Sequence, residues 1–203
     1  MSPSETKHRE RTALRLQAFL RLFRADPSEI FSSFRFADDE RFLIDVFVFP
    51  LVADEPVVAA VTNGMSNQRM VDGNDSARFA RRELIQYFHT CDEAHARRLR
   101  DMAWAPLFEN LFIDSHLTLQ WPHAAIPGTP WTNAFFLEPI VRQHHDFRCM
   151  IDGDEMSLLW HIPISAAERE YKINHGSNGL IDLMGMNQLP WIFDENNRPP
   201  LLL

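Results

Sequence analysis

Cysteine, glycine and long apolar runs are all scarce in this chain of 203 residues. The two cysteines, Cys91 and Cys149, are too few for a disulfide framework, so a reduced, cytoplasmic setting is expected. No uninterrupted apolar run is long enough to cross a bilayer, and the polar N-terminus has no apolar signal core. With only 7 glycines and as many as 16 phenylalanines, the composition indicates a packed core and excludes a low-complexity chain.

The sequence motifs of common enzyme classes are absent as well. There is no G-x-S-x-G nucleophile elbow, no G-x-x-x-x-G-K-[ST] phosphate loop and no G-x-G-x-x-G dinucleotide turn. Gly64-Met65-Ser66 places a serine close behind a glycine, but Gln68 stands where an elbow has its second glycine. The sequence therefore predicts a protein without enzymatic activity, catalytic residues, bound cofactor or metal.

Histidines and acidic residues leave one enzymatic alternative open, a small metal-dependent or His/Glu-based hydrolase. Three residues near a strand end have the chemistry of zinc ligands, although no fourth ligand is identifiable: His89, Cys91 and His95. A second group surrounds the last predicted strand: His144, His145, Asp146, His161, Glu168 and His175. In this alternative a pocket converges on His145, His161 and Glu168. Simpler roles are predicted instead, with His161 as a hydrogen-bonded sheet histidine and Glu168 as a helix cap.

Charge is divided unevenly along the chain. Residues 1–100 contain 15 basic and 15 acidic side chains, whereas residues 101–203 contain 5 basic and 13 acidic ones, which accounts for the whole net charge of −8. Because an acidic half repels phosphates and attracts basic surfaces, a basic protein partner is predicted and nucleic-acid binding is not. Six arginines would make a phosphate-binding patch only if they shared one face: Arg78, Arg81, Arg82, Arg97, Arg98 and Arg100.

Apolar periodicity and turn residues predict an α+β fold with a mixed, mostly antiparallel sheet flanked by helices. Helices are predicted over residues 10–23 and 26–34, and from Asp92 to about residue 112 with a break at Pro106. The predicted strands cover residues 41–49, 57–61, 81–88, 116–121, 134–137, 147–151 and 156–162. We expect residues 1–36 to form a helical segment docked on a domain of residues 37–203.

The most informative stretch reads SLLWHIPISAAEREYKINHGSNGLIDLM. Its first residues alternate as in a strand, which Pro163 is expected to stop because proline has no amide hydrogen for a ladder. Ser165 and Glu168 have the spacing of a capping box and predict a helix start. Glu168 and Lys172 are expected to pair on the solvated face of this helix. Gly176 is the expected left-handed helix stop, followed by a second short helix.

The same stretch resembles the signature of the suppressor of fused (SUFU) domain family in the letters WHIPISAAEREYKINHGSNGLIDLM. Three further segments match that family in order: VVAAVTNGMS (57–66), RRELIQYF (81–88) and LPWIFDENNRPPLLL (189–203), the last with Pro200 in place of a serine. The chain is similar to a stand-alone, bacterial-type member. The resemblance implies the same kind of fold, with roles in turns, caps and strand ends for the motif residues: Gly64, Met65, Ser66, Glu83, Pro163, Glu168, Tyr171, His175, Gly176 and Ser177.

The resemblance also implies a function, that of a non-enzymatic protein-binding module. In animals the SUFU protein sequesters Gli-type transcription factors by clamping a short peptide strand between two lobes, and this chain is similar only to the first lobe. Some stand-alone bacterial members are proposed as immunity proteins against secreted toxins, and an acidic chain would suit a basic toxin. Peptide addition needs an exposed sheet edge, for which residues 116–121 and 134–137 are the candidates because proline tends to lie at edges.

Overall fold

The computed structural model describes residues 3–26, 32–34, 43–51, 57–70, 81–109, 111–121, 129–139, 147, 149–194, 198 and 201. The described helices are α1 (Pro3–Phe23), α2 (Glu93–Glu109) and α3 (Ala166–Met186). The described strands are β1 (Ser32–Phe34), β2 (Asp45–Pro50), β3 (Val58–Asn63), β4 (Arg81–Phe88), β5 (Thr118–Gln120), β6 (Asn133–Leu137), β7 (Cys149–Ile151) and β8 (Asp154–Ile164). A 3₁₀ turn, Met65–Asn67, follows β3.

The eight strands form one mixed, mostly antiparallel sheet, as predicted. Their order is β1-β2-β3-β4-β8-β6-β5, and β7 pairs with the first residues of β8. β4 and β8 run parallel, whereas every other pair among the described strands is antiparallel. Because β8 pairs with β4 on one side and with β7 and then β6 on the other, the longest strand lies at the centre of the sheet.

Helices cover both faces of this sheet. Leu84 and Phe88 of β4 pack in a core with residues of α2, whereas Ile85 and Tyr87 pack on the other face with α1. α3 covers the β6–β8 end of the face that α1 occupies. All of β4 is buried, including its three charged residues, which explains why this central strand does not alternate between apolar and polar residues.

α1 extends the helix predicted over residues 10–23 by more than one turn at its N-terminus. Its C-terminal half buries Ala18, Phe19 and Leu22 against the sheet. No helix in the described part of the chain is long and apolar enough to cross a membrane. The division at residue 36 stays a prediction, although β1 already belongs to the sheet.

Two predicted element boundaries are wrong because tertiary contacts override local signals. Residues 32–34 form β1, paired with Val46–Val48 of β2, and not the end of a short helix; residues 27–31 lie outside the described part. α2 continues through Pro106, which is buried in the core. Pro106 lies in the last turns, where the loss of one backbone donor is offset by packing.

The prediction that Pro163 ends its strand is also wrong, since β8 continues to Ile164. The ladder between β4 and β8 reaches only Trp160, so the last residues of β8 pair with β6 alone. The Pro163 carbonyl accepts a hydrogen bond from Arg198 and so faces away from β6. The nitrogen of an extended residue faces the same way as its carbonyl, and the missing amide hydrogen therefore costs no ladder bond.

Candidate functional site

Glu83 of β4 is a fully buried carboxylate enclosed by hydrogen-bond donors. It accepts from the backbone N–H groups of Gly64, Met65 and Ser66 at 2.9, 3.2 and 3.0 Å. The hydroxyls of Ser66 and Thr62 donate to it as well, at 2.6 and 2.7 Å. A buried charge is tolerated when it is hydrogen-bonded in this way. The structure thus brings four of the motif residues together around one carboxylate.

Gly64 adopts a backbone conformation in which any side chain would clash with neighbouring backbone atoms. Its φ is 150°, and a Cβ atom there would lie 2.2 Å from the Leu43 carbonyl oxygen and 2.8 Å from the Ile44 Cα. The next side chain, Met65, packs into the core on the α2 face. Gly64 therefore lets the 3₁₀ turn approach residues 43–44 while its amide hydrogens point at Glu83.

Arg15 of α1 completes this cluster from the N-terminal helix. Its guanidinium is fully buried and lies 3.5 Å from the Glu83 carboxylate. It also donates to Asn63 Oδ1, to Ser66 Oγ at 3.2 Å and to Asn67 Oδ1 at 3.0 Å. Burial lowers the pKa of Arg15, and the Glu83 charge opposes that shift. Because neither charged group reaches solvent, the cluster is suited to holding α1 and not to binding a substrate.

The capping box predicted at the start of α3 is present. The Glu168 N–H donates to Ser165 Oγ at 3.1 Å, and the Ser165 N–H donates to Glu168 Oε2 at 2.6 Å. Glu168 is nevertheless buried, so the predicted pair with Lys172 on a solvated face is wrong. Its other oxygen accepts from Arg198 Nη2 at 3.1 Å, and the Arg198 guanidinium lies 4.5 Å from the Trp131 ring centre.

The remaining motif residues lie around a kink in α3. The rings of Tyr171 and His175 stack with centres 4.0 Å apart, and His175 Nδ1 donates to the Tyr171 carbonyl at 3.0 Å. Gly176 has φ 78° and ψ 172°, so the helix is interrupted where predicted, but not in the left-handed helical conformation. The Ser177 hydroxyl donates to the His116 carbonyl at 3.3 Å, which ties α3 to the residues just before β5.

His161 is the sheet histidine that its alternation predicts. Its Nδ1 lies 2.7 Å from Gln86 Oε1, and burial lowers its pKa to about 3, so the ring is neutral at physiological pH. Glu168 is already paired with Arg198 and Ser165, and residues 144–146 lie outside the described part. A pocket converging on His161 and Glu168 is therefore not supported by the described contacts.

The residues with zinc-ligand chemistry have other partners. His95 Nδ1 lies 2.6 Å from Asp92 Oδ1, and its ring packs edge-on against Phe88. Burial raises the pKa of the Cys91 thiol to about 12, so it is protonated and donates to the Asp92 carbonyl. In the ranges the structure describes, no group of three or more His, Cys, Asp and Glu side chains could hold a metal ion.

The arginines of the hypothetical phosphate patch do not share a face. Arg81 and Arg82 point to opposite faces of the sheet, where Arg81 donates to Asp154 and Arg82 to Asp114. Further along the chain, Arg97 pairs with Glu93 and Arg100 with Asp101. Arg78 lies outside the described residues. Four of these arginines thus pair with carboxylates of the same chain, so the described contacts do not support a phosphate-binding patch.

Two aspartates of the acidic half pair with basic residues of the first half of the chain. Asp152, in the turn between β7 and β8, pairs with Lys7, Arg11 and Arg81 from the first half of the chain. Asp154 pairs with Arg81 and with Arg69. These ion pairs therefore neutralise part of the negative charge of the second half within the molecule.

Among the described strands, the outer edge of β5 is the feature best suited to binding another chain. No described strand lies beyond β5, so residues 116–121 are at an edge as predicted, whereas residues 134–137 belong to β6 between β5 and β8. The Phe136 N–H donates to the Leu117 carbonyl at 3.0 Å, and the Trp121 N–H to the Thr132 carbonyl at 2.9 Å. Backbone groups alternate in an antiparallel pair, so those of residues 118 and 120 point away from β6.

An apolar row accompanies this edge on the α2 face. Leu119 and Trp121 pack as half-buried side chains at the margin of the core beneath α2. Leu117, two residues before Leu119, is 38% exposed. Thr118 lies on the opposite face because it is in register with Phe135 beneath α3. A short edge with backbone groups that point away from the sheet and an accompanying apolar row is a template for another strand.

A family model described as Suppressor of fused protein (SUFU) matches residues 43–198, which include both buried carboxylates and the β5 edge. The chain belongs to the suppressor of fused family. This match confirms the resemblance read from the sequence motifs. No curated protein sequence gives a significant match.

Solved structures show the same suppressor of fused fold. A suppressor of fused homologue from Neisseria gonorrhoeae FA 1090 has a TM-score of 0.70 at 14% identity, over 96% of this chain and 98% of that one. A chain of the Sufu–Fu complex has a TM-score of 0.69 at 7% identity, over 94% of this chain and 92% of that one. Drosophila Suppressor of Fused has a TM-score of 0.56 at 9% identity, over 78% of this chain and 42% of that one.

Two arginines of this suppressor of fused domain have structural roles that sequence reasoning missed. Arg15 precedes Phe19 by four residues and so lies on the buried stripe of α1, where an arginine is not expected. Arg198 is recognisable in the sequence only as part of a terminal motif. The sequence signal that could have indicated these arginines is an acidic residue in each buried family motif, because a buried Glu83 or Glu168 needs a cation as its partner.

Proposed function

We propose that this chain is a non-enzymatic protein-binding module that receives an extended segment of its partner at the outer edge of β5, beyond which no described strand lies. The observation that carries the proposal is the outward direction of the backbone groups of residues 118 and 120. A suppressor of fused protein in complex with Fu has the same fold, which supports a protein as the partner. At 7% identity this likeness shows the fold alone, so the proposed binding site rests on the outward-pointing backbone groups of β5.

The added strand would make two kinds of contact. Its backbone would exchange hydrogen bonds with residues 118 and 120, which gives affinity without a particular sequence. Its side chains would alternate, with one set covering Leu117, Leu119 and Trp121 on the α2 face. Covering apolar area at about 25 cal/mol per Å² would favour a partner with apolar residues at alternate positions.

An immunity-type role is the finer form of this proposal. The net charge of −8 supports a basic partner such as a toxin domain, because opposite charges accelerate association. The two free cysteines support a reduced, cytoplasmic setting for that encounter. Since Asp152 and Asp154 are paired internally, the charge that attracts such a partner would come from other acidic residues.

The proposal is tested by affinity capture of the tagged chain from its native host, with bound proteins identified by mass spectrometry. A stoichiometric partner is expected, and Gln120→Pro should abolish its capture because proline removes one outward N–H group. The matched control, Gln120→Thr, keeps that N–H and should retain the partner. A basic partner released by high salt would support the immunity-type role.

Capture that is equally strong with Gln120→Pro would refute the β5 edge as the binding site. Absence of any partner, together with a stoichiometric metal in the purified protein, would favour the hydrolase alternative instead.

A further inference from the structure

Arg169 and Lys172, in the first turns of α3, are partly buried cations without an acidic partner among the residues the structure describes. Other buried or half-buried basic side chains of the described chain have carboxylate partners: Arg11, Arg15, Arg81, Arg82, Arg100 and Arg198. The predicted partner of Lys172 was Glu168, which instead turns into the core towards Arg198. The pair is thus an exception to how this molecule treats its cations.

The surroundings of the two cations are unfavourable in the absence of an anion. The Nε of Arg169 is buried without a hydrogen-bond acceptor in the structure. Desolvation and the neighbouring Arg169 charge lower the pKa of Lys172. Arg169 also lies at the end of the first turn of α3, where the helix dipole disfavours positive charge. Residues that break local rules in this way are expected at functional positions.

The pair lies beside the β5 edge. Ile164, just before α3, is in register with Asn133, which is in register with Gln120 at the end of β5. Further along α3, the Ser177 hydroxyl contacts the His116 carbonyl, just before β5. The first half of α3 therefore runs from one end of the β5 segment to the other, with Arg169 and Lys172 between these two points.

We propose that Arg169 and Lys172 form an anion-binding site that takes a carboxylate side chain of the protein partner. Residues three apart on a helix are neighbours, so the guanidinium and the ammonium can converge on one carboxylate. An acid there would accept from the Lys172 ammonium and the terminal nitrogens of the Arg169 guanidinium, and would offset the repulsion between the two cations. The anion site stands on its own observations, whereas its assignment to a partner's carboxylate rests on the proposed function.

The test uses the full chain labelled with ¹⁵N and a capped hexaglutamate peptide as the probe. Hexaglutamate should shift the amide resonances of residues 166–173 saturably, and the double variant R169Q/K172Q should weaken this binding at least about tenfold. The matched control R9Q/R21Q removes two exposed cations of α1 and should leave the affinity unchanged. A capped hexaglutamine peptide should give no such shifts.

Three results would overturn the assignment. Equal hexaglutamate binding by R169Q/K172Q and the unaltered chain would place the anion elsewhere. Inorganic phosphate that shifts these resonances when hexaglutamate does not would identify a phosphate site and refute the carboxylate. A fall of several degrees in the melting temperature of R169Q would show a structural role, because removing one of two repelling cations should preserve or raise it.

The anion-binding site and the β5 edge can be tested independently of each other. Gln120→Pro should leave the hexaglutamate shifts intact, since the probe needs no strand pairing. If Gln120→Pro loses the captured partner while hexaglutamate fails to bind, the anion site is refuted and the proposed function stands.

Discussion

The carboxylate of Glu83 receives hydrogen bonds from the turn after β3 and a counter-charge from Arg15 of α1. A glutamine at this position keeps the shape of the side chain but leaves Arg15 without a buried counter-charge. Glu83→Gln should therefore lower the free energy of unfolding by about 3 kcal/mol or more, measured by urea denaturation. The matched control is Glu93→Gln in the exposed pair with Arg97, which should cost about 0.5 kcal/mol or less.

A double-mutant cycle with Arg15→Met would separate the ion pair from general damage to the core. Because each single variant leaves a buried charge behind, the double variant should cost clearly less than the two single costs added together. Additive costs would contradict a direct interaction between Arg15 and Glu83.

At the scale of elements, α3 consists of two helical segments that are joined at Gly176. The φ and ψ of Gly176 fall in a region that is essentially restricted to glycine, and a Cβ atom there would meet no other atom within 4 Å. Gly176→Ala should thus destabilise the protein by about 1–3 kcal/mol through backbone strain alone. Thermal unfolding followed by circular dichroism measures this cost.

Gly185 offers the control for this prediction in the same helix. Its substituted Cβ would also meet open space, but no positive φ occurs there. Gly185→Ala should raise stability by up to about 1 kcal/mol, since alanine is the better helix former. Equal effects of the two substitutions would show that Gly176 does not need its unusual conformation.

How much of each element was predictable depends on the range of the interactions that specify it. The Ser165–Glu168 capping box and the strand over residues 81–88 were predicted correctly, because a cap depends on neighbouring residues and the strand carries a family motif. β1 was predicted as helix, since three residues become a strand only when β2 supplies their hydrogen bonds. The extension of β8 through Pro163 likewise depends on tertiary structure, because the last residues of β8 pair with β6 and not with β4.

At the scale of the whole molecule, stability should fall as the pH is lowered from 7 towards 3. Burial holds the pKa of His161 at about 3, whereas the unfolded chain takes up this proton near the ordinary value of 6.5. Between these values the unfolded state binds more protons, so stability falls by up to about 1.4 kcal/mol per pH unit from this group. Urea denaturation at a series of pH values measures the slope.

His161→Gln should flatten that slope between pH 6.5 and pH 3, whatever its effect on stability at pH 7. The exposed His89 provides the control, because His89→Gln makes the same substitution at the surface of the protein and is measured at the same pH values. A slope that is the same with and without His161 would contradict the buried, neutral histidine.

Asp152 contributes at lower pH. Hydrogen bonding to Arg11 lowers the pKa of Asp152, so its contribution to stability is present above pH 3.8 and is lost as the pH falls through the lowered value.

The sequence by itself determined the fold class, the family and most of the strands and helices, because these follow from local periodicity, caps and motif order. Only the tertiary structure decided which charges are buried and paired. Arg198 reaches Glu168 across 30 residues of chain, and Asp152 meets Arg11 and Arg81 from the other half of the sequence. It also decided that residues 116–121, and not 134–137, lie at the sheet edge. The reason is that pairing and exposure are set by distances in space, which the spacing of residues along the chain does not specify.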